Sequence, residues 1–482
     1  MNKIYWLICI SLFFVLQVYA DNPPATEVRA VWLTTNYGLD WPTNRTDVDV
    51  QKRELIKILD DLKKYNFNTV FFQARTRGEV LYKSVIEPMS SVVASAKPGE
   101  ESFDPLQFAI EECHKRGLAC HAWVVTYPLG GNSHVKGLGQ RSVTRKHPTI
   151  ALQYKREWFL DPSNPKTDDY LISIVNEIVS NYDVDGIHFD YIRYPDNSTR
   201  FPDRARFNKY GKGKNISDWR RENINRFVTK MYDSVKSIKP WVQVSSAPLG
   251  RYRPLNNKHD GWNAYETVLQ DAGYWMMSGK HDALYPMMYY RNDLFYPFAD
   301  DWVLHGNNRI VAPGLGVYQM TELEWPKEDI VNQMSYSRDK KMSGQAYFRA
   351  ESVLSNLKGI LFSINDYYKH PAKLPAMTWL SDTIPDAPHD LTAEKIKGVF
   401  QLKWRDDTTK RRTYTVYRTV DDNFDTENSA NIIATGIREP MYEFYVEDND
   451  EAYYYFVTSH DAYNNESVIC NAAFFYHSET VK

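Results

Sequence analysis

Acid, imidazole, phenol and guanidinium crowd into one short run, DGIHFDYIRYP at 185–195. On an extended strand His188 and Asp190 alternate onto one face, with Gly186 below them. Asp190 then stands where the strand runs into its loop, beside Tyr191, Arg193 and Tyr194. A carboxyl in that setting suits proton transfer or nucleophilic attack, and the arginine can hold it ionised or hold a substrate oxygen. The competing reading is a structural ion pair between Asp190 and Arg193. A second acid comes from QARTRGEVLYKS (73–84), where Gln73 and Arg75 share a face and Glu79 follows in the turn. Two carboxyl groups are what glycosidic bond cleavage commonly needs, one to protonate the leaving oxygen and one to act as nucleophile or base. Glu79 is therefore the expected partner of Asp190, with Asp190 ionised and Glu79 the proton donor. The alternative to Glu79 is Glu351.

The remaining candidates bind rather than react. CHAWVVTYPLGG (120–131) places His121 and Trp123 on one strand face, Trp123 being a flat platform for a sugar ring. Arg75, His121, Trp123, His188, Tyr191, Arg193, Tyr289 and Glu351 make up the expected substrate-binding set. Asp161, His188 and Asp190 lack the number and spacing of a metal site. The glycines at 130–141 lack the order and lysine of a phosphate loop, and their length suggests a lid. No G-x-S-x-G elbow occurs. No cofactor is expected, and a metal-dependent deacetylase lacks its ligands.

Positioning such residues requires parallel strands that end together. The strand candidates are 28–35, 67–74, 118–125, 185–192, 241–247, 283–290, 309–316 and 344–349, several of them apolar throughout. Helical spacing links them: Leu55, Ile58, Leu59 and Leu62; Leu171, Ile174, Val175 and Ile178; Ile224, Phe227, Val228 and Met231; and Leu357, Ile360, Leu361 and Ile364. Asp104-Pro105 and Ser217 mark helix starts. Eight β-then-α units predict an α/β fold of the (β/α)8 type, whose chemistry gathers at the C-terminal ends of the strands. An open doubly wound sheet would bring a glycine-rich loop after its first strand, which this chain lacks.

Past Trp379 the pattern changes. SDTIPDAPHD (381–390) holds the expected linker, 381–388, and alternating strands follow at 399–404, 412–420, 441–447, 452–461 and 467–476. This predicts a small all-β sandwich over 389–480. PDAPHDLTAEKI, the lone Trp404, YTVYR and YYYFVTSHDAYNNES resemble a fibronectin type III domain. At the other end, MNKIYWLICISLFFVLQVYA has the charge, apolar run and small final residue of a secretory signal peptide, 1–20, so a secreted or periplasmic protein is expected. Without it three cysteines remain, an odd number that implies no disulfide framework; a Cys113–Cys120 bridge and two buried thiols both stay open. A net charge of −3 and no basic stripe argue against nucleic acid as partner. No later run is apolar and long enough to span a membrane. The 34 Tyr and 13 Trp suit a protein that stacks sugar rings.

EVRAVWLTT, FNTVFFQARTRGEVLYKS, HAWV, WFLDPSNP, YDVDGIHFDYIRYP and YYKHPAKLPAM occur in this order. Over roughly residues 27–380 the chain resembles the bacterial glycosyl hydrolase-like 10 family, some of whose members cut peptidoglycan glycans. The resemblance implies a barrel with its site at the C-terminal face. It sets Asp190 on the acid ending the fourth strand, Glu79 on the acidic position of the second loop, and His121 and Trp123 on the third-strand HAW. Two departures alter the subsite walls: Tyr191 stands where many members carry a second acid, and Val125-Thr126-Tyr127-Pro128 replaces Asn-Pro-Tyr-Arg. The expected activity is hydrolysis of a polysaccharide or oligosaccharide, peptidoglycan strands favoured; the alternative is a non-catalytic glycan-binding scaffold.

Overall fold

The computed structural model describes residues 22–97, 101–255, 261–396, 398–407, 409–421, 424–445 and 452–476. The expected signal peptide lies outside them. The barrel strands are β1 (Val28–Leu33), β2 (Thr69–Arg75), β3 (Ala119–Val125), β4 (Gly186–Asp190), β5 (Gln243–Ser246), β6 (Ala283–Leu284), β7 in two pieces (Ile310–Val311 and Gly314–Leu315) and β8 (Gly344–Tyr347). All are parallel. The sheet runs from Ile310–Val311 through β6, β5, β4, β3, β2, β1 and β8 to Gly314–Leu315. Its two ends are consecutive pieces of one strand, so the sheet curls into a TIM-like barrel. Prolines explain the short members. Pro313 and Pro286 have no N–H to give to a ladder, and contact resumes at Met287, which bridges Leu249 and Gly314.

Side chains alternate between two apolar cores. Outward residues such as Val31, Phe72, Val124, Ile187 and Val244 meet the helices. Inward residues such as Ala30, Trp32, Phe71, Trp123, Tyr285 and Ala346 fill the barrel. Helix α1 (Val48–Lys64) buries Leu55, Leu59 and Leu62 and is capped by Asp47. Burial of each such leucine contributes about 1.5–3 kcal/mol. Asp104 caps α2 (Pro105–Lys115), accepting the Gln107 N–H at 3.2 Å. Helices α3 (Pro165–Asn181), α4 (Ile216–Ile238), α5 (Ala272–Met277), α6 (Tyr296–Leu304), α7 (Lys327–Asp339) and α8 (Ile360–Tyr367) complete the shell. Two expectations shift. Asn215, not Ser217, caps α4, since its side chain accepts the Ser217 N–H at 2.8 Å. Leu357 stands outside α8, because Lys358 and Gly359 turn through positive φ (53° and 76°) just before it. Cys113 and Cys120 are buried free thiols.

The segment after β3 is built rather than loose. Its strands Pro128–Gly131, Ala151–Tyr154 and Glu157–Leu160 form an antiparallel flap with Glu157–Leu160 central.

Seven C-terminal strands form two antiparallel sheets: β9 (His389–Ile396), β10 (Val399–Arg405), β11 (Thr413–Thr419), β12 (Ile432–Ile437), β13 (Met441–Phe444), β14 (Ala452–His460) and β15 (Ala473–Tyr476). The orders are β9-β10-β13 and β12-β11-β14-β15. Leu402, Trp404, Val416 and Val457 pack together in one core. This unit docks at the N-terminal end of the barrel. Asp185, just before β4, accepts from Arg411 at 2.8 Å and Arg438 at 2.7 Å, and pairs with His114 at 2.9 Å. The all-β unit is thus held at the end of the barrel remote from the mouth. Among the described residues no helix is long and apolar enough to cross a membrane.

Candidate active site

The C-terminal ends of the barrel strands open into a cleft of about 620 Å³, within the size range of ligand sites. Asp190 ends β4 at its floor, 7% exposed. Burial pushes its carboxyl up from 3.8 to about 6, against the opposing pull of Arg193, the Tyr191 N–H and the Trp123 indole. The Tyr191 N–H donates to Asp190 Oδ1 at 2.7 Å. Tyr191 adopts φ 54°, a left-handed turn uncommon for an aromatic residue. No ion pair joins Asp190 to Arg193 among the described residues, so the competing reading of a structural ion pair finds no support. The carboxyl is governed by desolvation instead, and can carry a proton near neutral pH.

Trp123, Tyr191, Arg193 and Tyr289 line the same cleft. Tyr289 packs edge-on against Tyr318 (5.5 Å between centroids) and beside Phe348 (5.6 Å), making an aromatic wall. Gln73 lines the cleft too, and its Oε1 accepts the N–H groups of Thr35 and Asn36 at 2.9 and 2.8 Å.

Five expected site residues lie elsewhere. Glu79 does not line the cleft. It is buried beneath the segment after the flap's first strand, 3.6 Å from His134, and burial raises its pKa against His134 and the Ser91 N–H. Arg75 is fully buried on the outer side of the sheet, with Nε and Nη2 on Glu87 at 2.8 and 2.7 Å. The β2–β3 register shifts between Gln73 and Arg75, and this bulge breaks the alternation that would have kept both on one face. His188 lies one layer below Asp190. The Trp32 N–H can only donate, so His188 Nε2 accepts it at 3.0 Å and Nδ1–H donates to Ser245 Oγ at 3.0 Å. Burial holds this imidazole well below its usual range. His121 is deeper still, pushed down to about 4 by burial. Gly186 leaves room for its ring, since a Cβ there would meet Nδ1 at 2.5 Å. Glu351 is exposed and pairs with Arg349 at 3.2 Å, outside the cleft. Asp161 accepts from Ser163 and serves its own turn.

Other lining residues were not singled out by their types. Glu157 and Phe159 come from the flap and Asp196 from the turn after β4. Glu322 and Tyr318, which follow β7, also line the cleft. The alternating WFL before DPSNP was the available signal for the flap strand. With Glu79 outside the cleft lining, Glu79→Gln is expected to change kcat less than about threefold in reducing-end assays, because it removes no contact to the reacting groups. A thousandfold loss would return it to the chemistry.

A parallel barrel whose mouth holds a buried carboxyl among aromatic rings is the frame of glycoside hydrolase-like proteins. The chain belongs to the glycosyl hydrolase-like 10 family, whose sequence model matches residues 27–301. It is 30% identical over 490 residues to glycosyl hydrolase YngK of Bacillus subtilis, covering 95% of this chain and 94% of that one. Against glycosyl hydrolase DigH of Escherichia coli K12 it is 30% identical over 397 residues, 75% of this chain and 89% of the other. Among solved structures, the PgaB (BpsB) glycoside hydrolase domain of Bordetella bronchiseptica matches with TM-score 0.50 at 15% identity, over 70% of this chain and 98% of that one. Alpha-L-fucosidase isoenzyme 2 of Paenibacillus thiaminolyticus matches with TM-score 0.51 at 13% identity, over 74% of this chain and half (50%) of that one. These last two likenesses concern the fold.

Proposed function

We propose that this protein hydrolyses glycosidic bonds in a cell-envelope or extracellular polysaccharide, with peptidoglycan glycan strands as favoured substrate. The observation that carries the reading is Asp190: a buried carboxyl, raised to about 6, opening into an aromatic-walled cleft at the end of β4. A carboxyl with that pKa is suited to general acid catalysis near neutrality. This reverses the roles drawn from sequence, where Asp190 was to be the ionised partner. Trp123 and Tyr289 offer ring faces to sugar. Glu322, which follows β7 and lines the same cleft, is the carboxylate we assign to activate water. Membership of a family that includes YngK and DigH supports the activity class.

The leader at 1–20 supports export to the periplasm or medium. We divide the chain into a barrel at 27–380, a linker at 381–388 and a fibronectin type III-like domain at 389–480. The three-plus-four strand order β9-β10-β13 and β12-β11-β14-β15 supports that last assignment. The partner is a polysaccharide or oligosaccharide rather than nucleic acid.

One observation favours the scaffold reading: the carboxylates sharing the cleft with Asp190, namely Glu157, Asp196 and Glu322, are all at its exposed mouth. Incubating the mature chain with peptide-free peptidoglycan strands and a panel of other glycans decides between the two. Hydrolysis predicts new reducing ends and shortened products by mass. Saturable binding without new reducing ends after long incubation would leave the scaffold reading standing.

A further inference from the structure

Buried guanidinium groups in this chain are matched to carboxylates. Arg29 pairs with Glu27, Arg75 with Glu87 and Arg220 with Asp203. Arg193 breaks the pattern. It is 8% exposed, lines the cleft beside Asp190, and has no carboxylate within ion-pair distance among the described residues. Its Nη1 has no hydrogen-bond partner at all. Asp196, three residues further on, accepts the Trp262 N–H at 3.2 Å. Leaving a largely desolvated cation unmatched is costly unless a bound group completes it.

The packing around Arg193 states what that group is. Its guanidinium carbon lies 4.6 Å from the Tyr191 ring centroid and 5.3 Å from that of Trp262. Aromatic rings occupy part of its surroundings, and its unpartnered Nη1 keeps N–H donors for a further group. An edge of parallel N–H donors matches the two oxygens of a carboxylate, and a neutral hydroxyl uses only one of them.

We propose that Arg193 is a specificity-determining residue that binds a carboxylate carried by the sugar residue next to the cleaved bond. The cleft therefore selects acidic over neutral glycans. This rests on the hydrolase reading for the position of the bond, but not for the charge selectivity. Two sugar chemistries supply such a group, a lactyl ether on an amino sugar and a hexuronate.

The test measures binding in the full mature chain carrying Asp190→Asn, so that no turnover intrudes. Calorimetric titration uses two oligosaccharides, one with a free lactyl carboxylate and one with a hexuronate, each beside its carboxyl-reduced counterpart. We expect one acidic oligosaccharide to bind about tenfold or more tightly than its reduced form, as a charge-assisted pair implies. The arm that discriminates identifies the sugar. Adding Arg193→Gln should shrink the ratio to within about twofold, and Arg193→Lys should restore part of it. Equal or undetectable binding of acidic and reduced forms in both arms overturns the proposal. So does an Arg193→Gln variant that loses affinity for acid and reduced forms alike, the mark of a purely structural role. If charge selectivity holds while the wild-type chain releases no reducing ends from any glycan, the hydrolase reading fails and this one stands.

Discussion

Replacing Asp190 with asparagine is expected to stop turnover and, at neutral pH, to make the protein more stable. The loss follows from removing the only buried cleft carboxyl among the described residues: general acid catalysis contributes about 10²–10⁴ in rate, so kcat should fall by about a thousandfold. The gain in stability follows from the sign of the pKa shift. Asp190 is raised from 3.8 to about 6 in the fold, so the folded state binds the proton more tightly than the unfolded state. Ionising it in place then costs stability. The penalty is absent below about pH 4, grows between the two values, and is complete above about pH 6. Roughly two units correspond to about 3 kcal/mol. Asparagine keeps an oxygen to accept the Tyr191 N–H and carries no charge. Denaturant melts of both proteins at pH 4 and pH 7.5 check this: the variant should gain at pH 7.5 and lose that advantage at pH 4. In the wild type, kcat/KM should decline above about pH 6 as the acid loses its proton. A variant that retains activity, or is destabilised at both pH values, would remove Asp190 from the role assigned to it.

Much of the barrel was legible because its strands are short apolar runs separated by helix-period segments, and each run matches one barrel strand. The strand starting at 283 was overrun because Pro286 ends the ladder after two residues. In the C-terminal unit, β9 and β12 escaped notice as strands. β9 is a mostly exposed edge strand, and β12 is broken by Gly436 at φ 72° and by register shifts. The site was read with the right faces and the wrong depths. Alternation correctly turned His188 inward with Asp190, but two residues along a strand is about 6.6 Å. That puts the imidazole in the packed layer among Trp32, Phe71 and Tyr285. Depth depends on where a strand meets its neighbours, and that register is a tertiary quantity. Glu79 failed for a related reason. The turn that holds it is covered by a chain excursion more than fifty residues later, carrying His134 and Arg141.

Arg75 provides the second large effect, and it separates a structural arginine from a binding one. Its Nε and Nη2 hold Glu87 in a two-pronged pair, and its Nη1 donates to the carbonyls of Val125 and Thr126. The Tyr170 hydroxyl, from α3, adds a 2.7 Å bond to the same carboxylate. Arg75 is 0% and Glu87 4% exposed. Arg75→Ala strands the Glu87 carboxylate with one phenol for company and leaves two buried carbonyls without that donor. Breaking one side of such a pair costs about 3–5 kcal/mol. The expected result is a large drop in the urea midpoint, with KM for the surviving folded fraction essentially unchanged, because nothing on Arg75 faces the cleft. The double variant Arg75→Met with Glu87→Leu should recover much of the loss, since it removes the stranded charge along with its partner. A tenfold rise in KM at unaltered stability would instead mean that Arg75 reaches substrate, and that the bulge in β2 does not turn it away.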